Sequence, residues 1–176
     1  MKRFIMIAAA VLLTLPAAVQ AQRVKVHYDR SVDFSKFKTF SWIKGLDASN
    51  PEIHRLILDD IHRQLLSKGL QEVEQGGDLN VAYYSSLAGN INTHAVAYMK
   101  GVDWNQWGEH EEVYGPKMVE MPIAKMVVDI VEASGNRLIW RGSASDAYTP
   151  NQAKGKKRVN SSVARMFEKF PPPFKK

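Results

Sequence analysis

Two tryptophans, a histidine and paired acids crowd into WNQWGEHEEVY, Trp104 to Tyr114. Indole rings in a polar, glycine-bounded stretch are unfavourable to leave wet, and they offer flat faces on which a sugar ring stacks. The expected ligand contacts are therefore Trp104, Trp107 and His110, with Tyr83 and Trp140 lining a groove on the sheet face away from the helices. The same tryptophans would also serve to cover that face, because a large exposed apolar patch is unfavourable on a soluble monomer.

Catalytic chemistry finds less to work with. Adjacent carboxylates occur at Asp59-Asp60 and Glu111-Glu112, but neighbouring acids on one segment point apart rather than flanking a substrate as acid and base. No Gly-x-Ser-x-Gly elbow is present, and Gly76-Gly77 leads into a strand rather than opening a helix over a phosphate. His54 and His62 lie eight residues apart on a helix, about 80° round its axis, and would not reach one ion unaided. His110 sits in EHEE without a second histidine at ligand spacing. A hydrolase would have to be built around His110 and Glu112 with no recognised nucleophile. No catalytic residue, metal ligand or cofactor is assigned, and the expectation is a non-enzymatic binding or assembly-support protein.

Cysteine is absent, which removes thiol chemistry, disulfides and the lipid-modified cysteine of a bacterial lipoprotein. Met1-Lys2-Arg3 begins a charged region, Phe4 to Leu15 is uncharged and mostly apolar, and Val19-Gln20-Ala21 offers small residues at a cleavage site. That is the pattern of a signal peptide cut after Ala21, with an apolar run short of the ~20 residues a spanning helix needs. The expected mature chain, 22–176, is periplasmic or secreted, has no transmembrane helix, and forms one domain with a core of its own. The formal charge is +6, and basic residues concentrate between Lys154 and Lys176, where Glu168 is the one acid. Such an end suits weak contact with an anionic envelope surface, and export argues against nucleic acid as the partner. An envelope protein or a small ligand is the expected partner.

The elements that must position these residues follow from periodicity. Arg23 to Tyr28 alternates as a half-buried strand, Phe37 to Ile43 is a second strand apolar on both faces, and Leu79 to Leu87 alternates again. Asn50 caps, Pro51 suits the first helical position, and Ile53, Ile57, Ile61 and Leu65 form a stripe before Gly69, so a helix is predicted over about 50–68. Ile123 to Glu132 and Arg137 to Ala144 form a hairpin around Ser134-Gly135-Asn136. Val159, Val163, Met166, Phe167 and Phe170 mark a final helix over about 156–170, stopped by Pro171-Pro172-Pro173. Strands and helices do not alternate, so the expected class is α+β: an antiparallel sheet with both helices on one face.

VKVHYDRSVDFSKFKTFSW near the start, Asn50-Pro51 opening a helix that ends in Lys68-Gly69-Leu70, DLNVAYY, LIWRGSA and the closing Phe170-Pro171-Pro172 together resemble the bacterial envelope proteins grouped as domain of unknown function 4136. Many members of that family carry a lipoprotein cysteine, where this chain has Ala21-Gln22. The resemblance implies a small α+β envelope domain and no established activity. Its motif residues, here Asp33, Phe34, Phe40, Trp42, Trp140 and Gly142, are expected to be framework. In YDRSVDFSKFKTFSWI a strand with buried aromatics and outward lysines produces the same interleaving as a basic aromatic surface.

Overall fold

A computed structural model describes residues 23–86, 123–147 and 149–172. The expected signal segment and the Trp104 to Tyr114 stretch lie outside the described residues.

Strand β1 (Arg23–Tyr28) is followed by a short 3-10 turn (Phe34–Lys36), β2 (Thr39–Trp42), α1 (Pro51–Ser67), β3 (Gln71–Glu72), β4 (Leu79–Ser86), β5 (Ile123–Glu132), β6 (Arg137–Ala147) and α2 (Gln152–Phe167). They build one six-stranded sheet in the order β1-β6-β5-β4-β2-β3. From β1 to β4 every pairing is antiparallel. The sheet is nonetheless mixed, because β2 runs parallel to both β3 and β4. The cause is α1, which lifts the chain off the end of β2 and returns it in the same direction, where a tight hairpin would have reversed it. Among the described residues no helix is long and apolar enough to cross a membrane.

Helix α1 begins where the sequence predicts. The Asn50 side chain accepts from the Glu52 and Ile53 amides at 2.9 and 3.1 Å, satisfying donors that the first turn leaves open. It ends in a Schellman turn: Gly69, at φ 85°, donates to Leu66, and Leu70 donates back to Leu65. Helix α2 starts earlier than its apolar stripe suggests, because Asn151 caps the Lys154 amide at 2.9 Å ahead of a polar first turn.

Both helices cover one face of the sheet. Ile57, Ile61 and Leu65 of α1 and Val163, Met166 and Phe167 of α2 close over Phe40, Leu79, Val81, Val128, Ile130 and Trp140. Trp140 is 0% exposed and stacks within 5.2 Å of Phe167 and 5.4 Å of Phe170. Its indole nitrogen has no hydrogen-bond partner among the described residues. Gly142 leaves the room this packing needs: a Cβ there would stand 2.6 Å from Trp140 and 2.8 Å from the Met166 sulfur. On the opposite face Ala82, Tyr84 and Val127 are buried with Ile43 beside them, and the Arg141 guanidinium grips Asp129 through two 2.6 Å hydrogen bonds.

The stretch from Tyr28 to Ile43 is tied down by acids that accept from nearby amides. Asp29 takes the Ser31 N–H and hydroxyl, Asp33 takes those of Ser35, and Asp78 takes the Lys38 and Thr39 amides at 2.8 and 3.0 Å. Lys36 reaches Glu132 at 2.6 Å, and Arg137 bridges Glu132 and Asp29. Phe34 and Phe40 are buried behind these locks.

Candidate functional site

Along α1, His54, Leu58 and His62 recur every fourth residue, so they share one flank of the helix beside the buried isoleucine stripe. That flank meets the end of β2, the connection that follows it, Glu72 of β3 and Tyr83 of β4, and the meeting encloses a recess of about 410 Å³. Its aromatic and ionisable lining comes from Trp42, Lys44, Asp47, His54, Asp59, His62, Glu72 and Tyr83.

The two histidines hold different partners. His62 Nε2 lies 3.0 Å from Glu72 Oε2, and its ring sits 6.1 Å from Phe40, which meets Trp42 edge to face at 6.0 Å. His54 Nδ1 is hydrogen bonded to the Tyr83 hydroxyl, with Asp47 Oδ1 3.9 Å away. The Ala48 N–H donates to the same phenol oxygen at 3.3 Å. The His54 ring and the Ala48 amide thus converge on one phenol oxygen, which has the capacity for both contacts. Burial pushes the Tyr83 hydroxyl above the ordinary phenol range; the Ala48 amide opposes that shift and the Asp47 charge adds to it.

Gly45 makes the approach of the β2–α1 connection to β4 feasible. A Cβ at that position would fall 1.8 Å from the Tyr83 carbonyl oxygen, so only glycine allows Leu46 to donate its amide to that oxygen at 3.0 Å.

The residues singled out from sequence distribute unevenly. Tyr83 forms the back of the recess, but it and Trp140 both face the helices, so neither lines a groove on the opposite face. The parity of β4 and β6 turns Tyr83, Trp140 and Gly142 toward α1 and α2, leaving Tyr84 and Arg141 on the other side. Trp104, Trp107 and His110 lie outside the described residues, as does the segment considered as a cover for that face. Asp59 and Asp60 do point apart: Asp59 borders the recess, while Asp60 is 5% exposed and bonded to Arg63. His54 and His62 both line the recess but hold separate partners, Tyr83 and Glu72. Among the described residues no group of three or more His, Asp or Glu side chains is arranged to hold a metal. Sequence reasoning missed the recess itself. Its one local signal was the four-residue recurrence of His54, Leu58 and His62, while Asp47, Glu72 and Tyr83 are brought in by tertiary pairing.

A family model described as Domain of unknown function (DUF4136) matches residues 24–172. Among solved structures, a PDZ domain protein from Parabacteroides distasonis ATCC 8503 is 18% identical with a TM-score of 0.56. The match covers 88% of this chain and 37% of that one, so the chain spans little over a third of its length and the likeness is one of fold. A PelC dodecamer from Paraburkholderia phytofirmans is 7% identical over 83% of this chain and 94% of that one, TM-score 0.49. Lipoprotein GNA1162 from Neisseria meningitidis is 8% identical over 74% and 98%, TM-score 0.40. No curated protein matches the chain.

Proposed function

The chain belongs to the DUF4136 family, and from that premise we propose that it is a non-enzymatic binding domain exported to the bacterial envelope, whose recess beside α1 receives a small hydroxyl-rich ligand of the glycan class. The observation that carries this is the recess: an indole at Trp42 in one lining with carboxylates, imidazoles and the Lys44 ammonium. Sugars are held by the same combination, an aromatic surface for the C–H face and bidirectional hydrogen bonding for the hydroxyls. Export rests on the charged and then apolar run of residues 1–21.

Binding is favoured over catalysis by the wiring of His54. A relay needs an orienting acid on one ring nitrogen and the group to be activated on the other, whereas Asp47 and Tyr83 both face Nδ1. The phenol is also held protonated by burial, which suits a hydrogen-bonding group better than a nucleophile or base.

Calorimetric titration of the chain from residue 22 with oligosaccharide fragments of the bacterial envelope tests the reading. Saturable binding is expected, weakened about tenfold or more by His62→Ala or Asp47→Asn while the circular dichroism spectrum is retained. Heat-silent titrations across the set, or binding indifferent to both substitutions, would overturn it.

A further inference from the structure

Helix α2 divides sharply into two sides. Ser162, Val163, Met166 and Phe167 are buried against the sheet. Lys154, Lys157, Ser161 and Arg165, spaced by three and four residues, share the opposite side and are exposed. Exposed Glu168 and Lys169 follow at the end of the helix, so four cations stand against one acid. Cations on the flanks are already engaged: Lys156 holds Glu52, and Arg158 holds Asp146 at 3.4 Å. Arg165 has a further contact within the molecule, and Lys154, Lys157 and Lys169 carry the charge of the stripe.

A cationic stripe along the outside of a helix is complementary to an extended anionic surface. We propose that the outward side of α2 docks the protein on the anionic phosphate headgroups of a membrane surface. Its side chains set the mode of contact. No large apolar residue stands among Lys154, Lys157, Ser161 and Arg165, so the helix adsorbs to headgroups and does not insert. The same composition offers no ring on which nucleic-acid bases would stack. Lys154 and Arg165 lie about 16 Å apart at 1.5 Å per residue, roughly two screening lengths at physiological salt, so the cations at the two ends meet different headgroups. Each lysine near an anionic leaflet multiplies partition about fivefold, and three give about a hundredfold, a reversible attachment. Helix α2 packs over β6 and β1, whereas the recess lies between α1 and the β2–β3 end of the sheet. Docking by α2 therefore leaves the recess open, and either reading can fail without the other.

The test is sedimentation of the chain from residue 22 with vesicles of mixed phosphatidylglycerol and phosphatidylcholine, and with phosphatidylcholine alone. Partition is expected onto the mixed vesicles only, falling about tenfold between roughly 50 and 500 mM salt. Lys154→Gln with Lys157→Gln, both exposed, should weaken it about twentyfold with the melting temperature unchanged. Arg23→Gln with Lys25→Gln removes the same formal charge from the sheet face that carries Arg141, and should change partition about twofold or less. The proposal is overturned by equal sedimentation with both vesicle types, by equal loss from the two double variants, or by a duplex RNA that binds the protein where the mixed vesicles do not.

Discussion

Trp140 offers the sharpest test of the packing described above, because two substitutions there should behave very differently. The side chain is 0% exposed, lies against Phe167 and Phe170, and leaves its indole N–H without a partner among the described residues. Trp140→Ala deletes the whole payload and leaves a cavity under α2, a change that costs about 3–5 kcal/mol. Trp140→Phe keeps a ring against Phe167 and loses only part of the indole. The smaller void costs roughly 24 cal/mol for each Å³ left unfilled, and removing a buried unbonded N–H returns about 1–3 kcal/mol. The phenylalanine variant is therefore expected within about 1 kcal/mol of the parent. At about 2–4 °C per kcal/mol for a domain of this size, Trp140→Ala should melt roughly 10 °C lower while Trp140→Phe barely moves. Urea unfolding followed by far-ultraviolet circular dichroism reads both, with an unchanged m-value as the check that only stability has altered. Equal damage from the two substitutions would mean that the indole N–H is bonded after all. A harmless Trp140→Ala would remove Trp140 from the core and restore it as a surface residue.

Other perturbations separate backbone from side-chain constraints and locate the acid-sensitive contacts. Gly142→Ala should cost about 1–3 kcal/mol in urea unfolding, since Trp140 and Met166 must give way. Gly77→Ala should cost more than Gly142→Ala, because its Cβ would meet the Phe40 carbonyl carbon at 2.6 Å and the Ser41 nitrogen at 2.7 Å, backbone atoms that cannot rotate aside. Asp129→Ala removes the carboxylate that grips the largely buried Arg141 guanidinium and is expected to destabilise by about 3 kcal/mol, read by the same assay. Glu132 is held below the ordinary glutamate value of 4.5, first by the hydrogen bond from Lys36 and also by Arg137. The unfolded chain therefore takes up that proton at higher pH than the folded one. The contribution is present above about pH 4.5 and is lost as pH falls through the depressed folded value. A Glu132→Gln variant should show a shallower loss of melting temperature on acidification below that pH, and an unchanged slope would remove Glu132 from the acid-sensitive set.

Elements whose signals are local were legible in the sequence. Asn50-Pro51 and the isoleucine stripe gave α1 nearly to the residue, and Ser134-Gly135-Asn136 gave the β5–β6 hairpin. The start of α2 was not legible because Gln152 to Gly155 carries no large apolar residue, so the Asn151 cap stands ahead of a polar turn rather than an apolar stripe. Strand β3 is two residues long and exposed, too short to leave a period. Parallel pairing of β2 with β4 was hidden for a different reason: the alternation of Phe40 and Trp42 is the same whichever way the neighbour runs. The recess was hidden for the same reason. Tyr83 reads as one more inward strand residue, and only the fold brings its hydroxyl to His54 and the Ala48 amide.

Strand β1 is paired with β6 along its full length, from Arg23 opposite Ser145 to Tyr28 opposite Trp140. The β5–β6 hairpin closes from neighbouring residues, but β1 has no partner until the last strand exists, so the first strand made is the last to find its place. During that wait Val24, Val26 and Tyr28 form a short apolar ribbon able to pair with another copy of itself. Lys25 and His27 alternate with them, interrupting the ribbon with polar groups that disfavour stacking between chains. Beside the contacts that Lys25 and His27 make in the folded sheet, their polar groups would disfavour pairing between nascent copies in the interval before that sheet exists.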